Sequence, residues 1–105
     1  MIKAKVHIKD GSYRSFSCVG HAGFEDRGKD IVCAAVSMLV INTANSLDKL
    51  TDNEITASDD EYIRWEFKNI PDEKGKLLMD SMIMGLKEIE SKYGNNYLRL
   101  MIEEV

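Results

Sequence analysis

The opening residues constrain the fold more than any other segment. Ile2, Ala4, Val6 and Ile8 alternate with Lys3, Lys5, His7 and Lys9, the period-two pattern of a strand with one face buried and the other in water. Such a strand needs neighbours in a sheet and a cover on its apolar face only, which directs the chain toward helices packed on one side of a sheet. Asp10-Gly11-Ser12 supplies turn chemistry, and Tyr13 to Val19 resumes an extended pattern, so the two segments read as a hairpin. In the second strand Phe16 and Cys18 share one face while Ser15 and Ser17 share the other. Cys18 is therefore expected in the core.

After a glycine-rich loop, Asp30 is placed to cap a helix running from Ile31 to about Leu50, closing near Thr51-Asp52-Asn53. Its first half is apolar nearly all round, which predicts burial on more than one side. A short strand near Glu54 to Ala57 follows, and then Ile63, Trp65 and Phe67 alternate with Tyr62, Arg64, Glu66 and Lys68. Pro71 and Asp72 open a second helix. Leu78, Met79, Met82, Leu86, Ile89 and Tyr93 recur along it at three- and four-residue spacing, and Gly94 stops it. Leu98, Leu100 and Ile102 alternate through a last strand. The expected fold is α+β: an antiparallel sheet with two helices, in the order β-β-α-β-β-α-β, as a single domain over residues 1–105. Ile83 and Met84 extend the apolar surface of the second helix, and with the first helix they predict a homodimer.

Composition narrows the function. A net charge of −4 over 105 residues argues against a nucleic-acid binder, whose footprint is a basic face, and suits a basic peptide or protein substrate. Two cysteines make no disulfide framework. The first residues alternate instead of forming the apolar run of a signal peptide. The most apolar window, Ile31 to Ile41, falls short of the roughly 18 residues that span a bilayer. The expectation is a cytoplasmic protein with free thiols and no membrane association.

The chemistry lies between His21 and Cys33. Gly20-His21-Ala22-Gly23-Phe24-Glu25-Asp26-Arg27-Gly28-Lys29-Asp30-Ile31-Val32-Cys33 puts an imidazole at one end of a loop and a thiol at the other. With Asp30 as cap, Cys33 is the third helical residue. Its N–H lacks an intrahelical partner there, and N–H groups at the helix start are expected to be free to hold an oxyanion. A helix-end charge effect is worth about 0.3–1 kcal/mol, and up to about 2 when partly buried. One tenfold step in ionisation needs about 1.4 kcal/mol, so the dipole leaves a gap for an imidazole to fill. His21 is the histidine close in sequence, since His7 lies on the polar face of its strand. The chain between them can span on the order of 40 Å, and closing such a loop is entropically modest. Gly20, Gly23 and Gly28 allow it to move as a lid.

Plainer readings compete at each position. A cysteine in an apolar helix is most often a small hydrophobe, and a loop histidine is most often solvated. Asp30 is a cap first and an orienter of His21 second. Ser37, one turn after Cys33, either supports the site or bonds back to its own helix. Cys18-x-x-His21 with Cys33 offers three soft ligands, but no paired spacing completes them and Cys18 turns inward. No metal and no cofactor are expected. The coincidence of loop, cap, thiol and imidazole favours catalysis.

Gly20-His21-Ala22 followed by Asp30-Ile31-Val32-Cys33-Ala34-Ala35-Val36-Ser37 resembles the signature of the ribosomal-processing cysteine protease (Prp) family. The resemblance implies a small homodimeric endopeptidase that removes an N-terminal extension from a large-subunit ribosomal protein, cutting after a pair of aromatic residues and before a small one. It maps the nucleophile to Cys33, the base to His21, the supporting positions to Asp30 and Ser37, and a flexible substrate loop to Gly23 through Lys29. Phe24 and the first helix are then candidates to seat the aromatic side chains. Two other functions are consistent with these residues: a non-enzymatic binding module in ribosome assembly, and a thioesterase using the same Cys-His pair.

Overall fold

The computed structural model of the chain describes residues 1–26, 30–58 and 62–105. Along the chain run β1 (Ile2–Lys9), β2 (Ser12–Val19), α1 (Ile31–Leu50), β3 (Ile55–Ser58), β4 (Ile63–Phe67), α2 (Glu73–Tyr93) and β5 (Leu98–Glu104). The strands form one sheet in the order β3-β4-β2-β1-β5. β1 and β2 pair as an antiparallel hairpin, with a register shift between His7 and Ile8. β2–β4 and β3–β4 are also antiparallel.

The sheet is mixed, not antiparallel as alternation suggested, because β5 runs parallel to β1. The cause is the connection. β4 and β5 run the same way, so α2 is a crossover that carries the chain back along the sheet to its other edge. α1 does the same between β2 and β3. One crossover steps left from a descending strand and the other steps right from an ascending one. Their shared right-handed sense puts both helices on the same face.

The core lies between that face and the helices. Ala4, Val6, Phe16, Trp65 and Leu98 from the strands meet Val32, Val36, Val40 and Leu47 of α1 and Met79, Met82 and Leu86 of α2. Phe16 and Trp65 stack across β2 and β4 with centroids 4.8 Å apart. Cys18 is buried beside them. α2 begins at Asp72, whose carboxylate accepts from the Gly75 N–H, and ends where the Gly94 N–H donates to the Glu90 carbonyl.

α1 departs from its sequence pattern. Its buried residues, Val32, Val36, Val40, Thr43 and Leu47, form one stripe, whereas Ile31, Met38 and Ile41 are 54%, 69% and 44% exposed. A single helical layer over a single sheet face offers this helix one partner surface, so its outer apolar residues face water in the isolated chain. By length and composition alone Ile31–Leu50 also passes for a membrane-crossing helix, contrary to the shorter window read from sequence. The stripe that packs on the sheet gives that apolar composition a place in the core.

Candidate active site

β2 ends at Val19, and the chain turns at Gly20 with φ of 100°. A side chain there would collide with the Met1 carbonyl oxygen at the neighbouring strand end. This close backbone approach sends His21 and Ala22 along the start of α1. The Ala22 side chain is buried, and its N–H donates to Cys33 Sγ at 3.1 Å. The loop backbone is thereby tied to the side chain of Cys33.

Asp30 organises the other side. Its Oδ1 accepts from the N–H groups of Val32 and Cys33, both at 3.0 Å. Its Oδ2 accepts from Phe24 at 3.0 Å and Glu25 at 3.4 Å. One carboxylate thus caps α1 and gathers the preceding loop. Burial raises the Asp30 pKa, but the N–H groups of Cys33, Glu25 and Phe24 and the Cys33 side chain outweigh it and hold the carboxyl below its ordinary range.

This geometry corrects one expectation. The N–H groups of Val32 and Cys33 are not free to hold an oxyanion, because the capping carboxylate takes both. That carboxylate also sets a negative charge against the positive end of the helix, offsetting the dipole at Cys33. Among the described residues, the donor facing the sulfur is the Ala22 N–H. Nothing in residue spacing marks Ala22 for this role, since any non-proline backbone can donate.

The candidate residues converge on a cleft of about 500 Å³ lined by His21, Gly23, Glu25, Asp30, Cys33, Ala34 and Ser37. His21 is exposed on its wall, and among the described residues it makes no hydrogen bond to Cys33 or Asp30. Gly20 shapes the turn without lining the cleft. Phe24 does not line it either: its ring packs edge-on against Tyr93 and Tyr97, with centroids 5.6 and 5.1 Å away. Gly28 lies outside the described residues, as does the end of the expected lid. Glu25 and Ala34 are wall residues that carried no signal of their own in the sequence.

The two thiols differ sharply. Cys18 is held in the core, where burial, and secondarily the nearby Cys33, push its pKa up to about 11. Cys33 is half-buried and opens to the cleft. A thiol and an imidazole on one cleft of a two-layer α+β fold are the groups that a thiol-dependent hydrolase requires.

The family follows from comparison. The family model described as cysteine protease Prp matches residues 1–98, and the chain belongs to that family of cysteine proteases. The ribosomal processing cysteine protease Prp of Bacillus subtilis is 34% identical over 104 residues, covering 91% of this chain and 93% of its own. That of Staphylococcus aureus (strain Mu50) is 26% identical over 100 residues, covering 91% and 94%. Among solved structures, an essential ribosomal processing protease Prp from S. aureus, in complex with a covalently linked product peptide, superposes with a TM-score of 0.92. It is 25% identical, with 98% of this chain and 100% of that chain covered. A Streptococcus mutans protein superposes at 0.86 with 31% identity, over 100% and 96% of the two chains.

Proposed function

We propose that this chain is an endopeptidase that removes the N-terminal extension of a large-subunit ribosomal protein, with Cys33 as nucleophile and His21 as general base. The observation that carries the assignment is the contrast between the thiols: Cys33 opens to the cleft with a backbone N–H on its sulfur, and Cys18 is buried with its ionisation suppressed. The relatives named ribosomal processing protease, one holding a covalently linked product peptide, supply the substrate class.

His21 takes the Cys33 proton, and the thiolate attacks the scissile carbonyl. The tetrahedral intermediate collapses as His21 protonates the leaving amine, and water then hydrolyses the thioester. This sequence needs neither metal nor cofactor. With the helix-start donors engaged by Asp30, the Ala22 N–H is the backbone donor nearest the developing charge. Ser37 and Glu25 shape the cleft wall, and the Gly23 loop closes over bound peptide. One domain carries the whole site, and it acts as a homodimer in the cytoplasm.

Incubation with a peptide containing a Phe-Phe-Ala junction, followed by mass spectrometry, tests the reading. Wild type should cut before the alanine, and Cys33→Ala should be inactive by at least about a thousandfold. Turnover of acyl thioesters with the peptide left whole would instead identify a thioesterase. A cell-growth function retained by Cys33→Ala would identify a binding module.

A further inference from the structure

Among the described residues nothing covers the sheet face opposite the helices, and its charges are sorted. Strand pairing lines up Ser58, Arg64, Ser17, Lys5 and Met101 in one row across the sheet, with Val19, Lys3 and Arg99 in the row beside it. The next row on the other side reads Thr56, Glu66, Ser15, His7 and Glu103. Each acid of that third row has a partner: Glu103 meets His7 at 3.2 Å and Glu66 meets Arg14 at 3.6 Å. Among the described residues, Lys3, Lys5, Arg64 and Arg99 form no ion pair. Four cations without an ion pair among the described residues therefore share two adjacent rows of one face, on a chain whose net charge is −4.

We propose that this face binds the phosphate backbone of RNA. Successive outward residues on one strand lie about 6.6 Å apart, and neighbouring strands about 4.8 Å. Lys3 and Lys5 are one such step, Lys3 and Arg99 one strand apart, and Lys5 and Arg64 two strands apart. These intervals let several cations reach successive phosphates of one strand. Ser17 lies between Lys5 and Arg64 and Ser58 beside Arg64, and serine hydroxyls also contact phosphate. An acidic protein partner is disfavoured because the two rows hold no aromatic residue, and their apolar residues, Val19 and Met101, sit in different rows on either side of β1 and form no common centre of the kind that anchors protein interfaces. The same lack of aromatic rings removes base stacking, so the contact is independent of sequence. The overall negative charge does not prevent it. At physiological salt charges are screened over about 8 Å, so the cations beside a bound phosphate act on it more than the summed charge of the chain does. A protease whose substrate sits on a ribosomal particle would be tethered there by this face with its cleft left free. That use rests on the function proposed above; the RNA contact does not.

Fluorescence anisotropy of the intact protein with a labelled single-stranded RNA of about a dozen nucleotides tests this, titrated at several salt concentrations. Four phosphate contacts should give a slope of log affinity against log salt of about −3, and Lys3→Glu with Lys5→Glu should halve it or more and weaken binding at least tenfold at 0.15 M. The same double variant should cleave the short Phe-Phe-Ala peptide as wild type does, showing that its fold and cleft are intact. The proposal is overturned by absence of RNA binding, by binding that the charge reversal leaves unchanged, or by equal competition from polyglutamate or anionic lipid vesicles. Loss of peptide cleavage in wild type with RNA binding retained would fault the protease substrate and leave this contact standing.

Discussion

Cys18 and Cys33 are the same residue type in two electrostatic settings, and their reactivity should divide accordingly. Iodoacetamide at neutral pH is expected to modify Cys33 and spare Cys18, whose buried thiol ionises only near pH 11. Peptide mapping of the alkylated protein reads this directly, and equal labelling of both thiols would argue against an activated nucleophile. Asp30 poses a finer question, because its cap role was legible from its place before an apolar helical run but its four N–H partners were not. A capping carboxylate and a catalytic orienter respond differently to loss of charge. Asp30→Asn should retain peptide cleavage within about tenfold as a cap variant, whereas loss of an orienter costs about 10⁴. Its stability profile should change on the acid side. A carboxyl held below its usual range stabilises the fold above the unfolded value near ~3.9, and that contribution disappears as pH falls through the folded value. Asp30→Asn therefore flattens the decline in melting temperature below about pH 4. Some slope remains from Asp72, held low by the Asn53 side chain and by the Gly75 N–H.

At the scale of elements, the loop between β2 and α1 is built from turns with unequal tolerance. Gly20 and Gly23 both have positive φ, 100° and 72°, so any side chain pays roughly 1–2 kcal/mol in backbone strain. Around Gly23 a Cβ would meet open space, whereas at Gly20 it would strike the Met1 carbonyl. Gly20→Ala should accordingly lower the melting temperature more than Gly23→Ala does, and it should depress kcat by displacing His21. Differential scanning calorimetry with peptide kinetics on both variants checks the order; equal effects would mean that the β2 end yields to the added methyl. The elements themselves were legible: the hairpin from its alternation and turn, α1 from Asp30, α2 from Asp72 and Gly94. The direction of β5 was not. Alternation reports which side chains are buried and is blind to strand polarity, which the α2 crossover decides. The expectation of free helix-start donors failed on a feature that was legible: a cap at Asp30 itself takes the N–H groups of Val32 and Cys33, so the cap and the free donors could not both hold.

For the whole molecule, the outer face of α1 is where assembly is expected. Ile31, Met38 and Ile41 are exposed there. Beside Ile41 a groove of about 310 Å³ is lined also by Ala44, Asn45, Ala57, Ser58, Ile63 and Trp65. Small residues on both walls, Ala44 and Ala57, leave room that larger ones would fill. Trp65 Nε1 is buried without a hydrogen-bond partner among the described residues, a cost of about 1–3 kcal/mol. A second copy laying its own α1 across this face would bury the apolar stripe twice over, as a two-fold contact does. Met38→Asp with Ile41→Asp places like charges at the centre of that contact without touching the core stripe of Val32, Val36, Val40 and Leu47. Sedimentation velocity should show dimer for wild type and a dimer Kd raised at least tenfold for the variant, since each buried charge left unpaired costs well over the 1.4 kcal/mol that a tenfold change represents. A wild type that sediments as a monomer, or a variant that still dimerises at wild-type affinity, would remove α1 from the interface. The apolar outer face would then have no partner in a second copy of this chain.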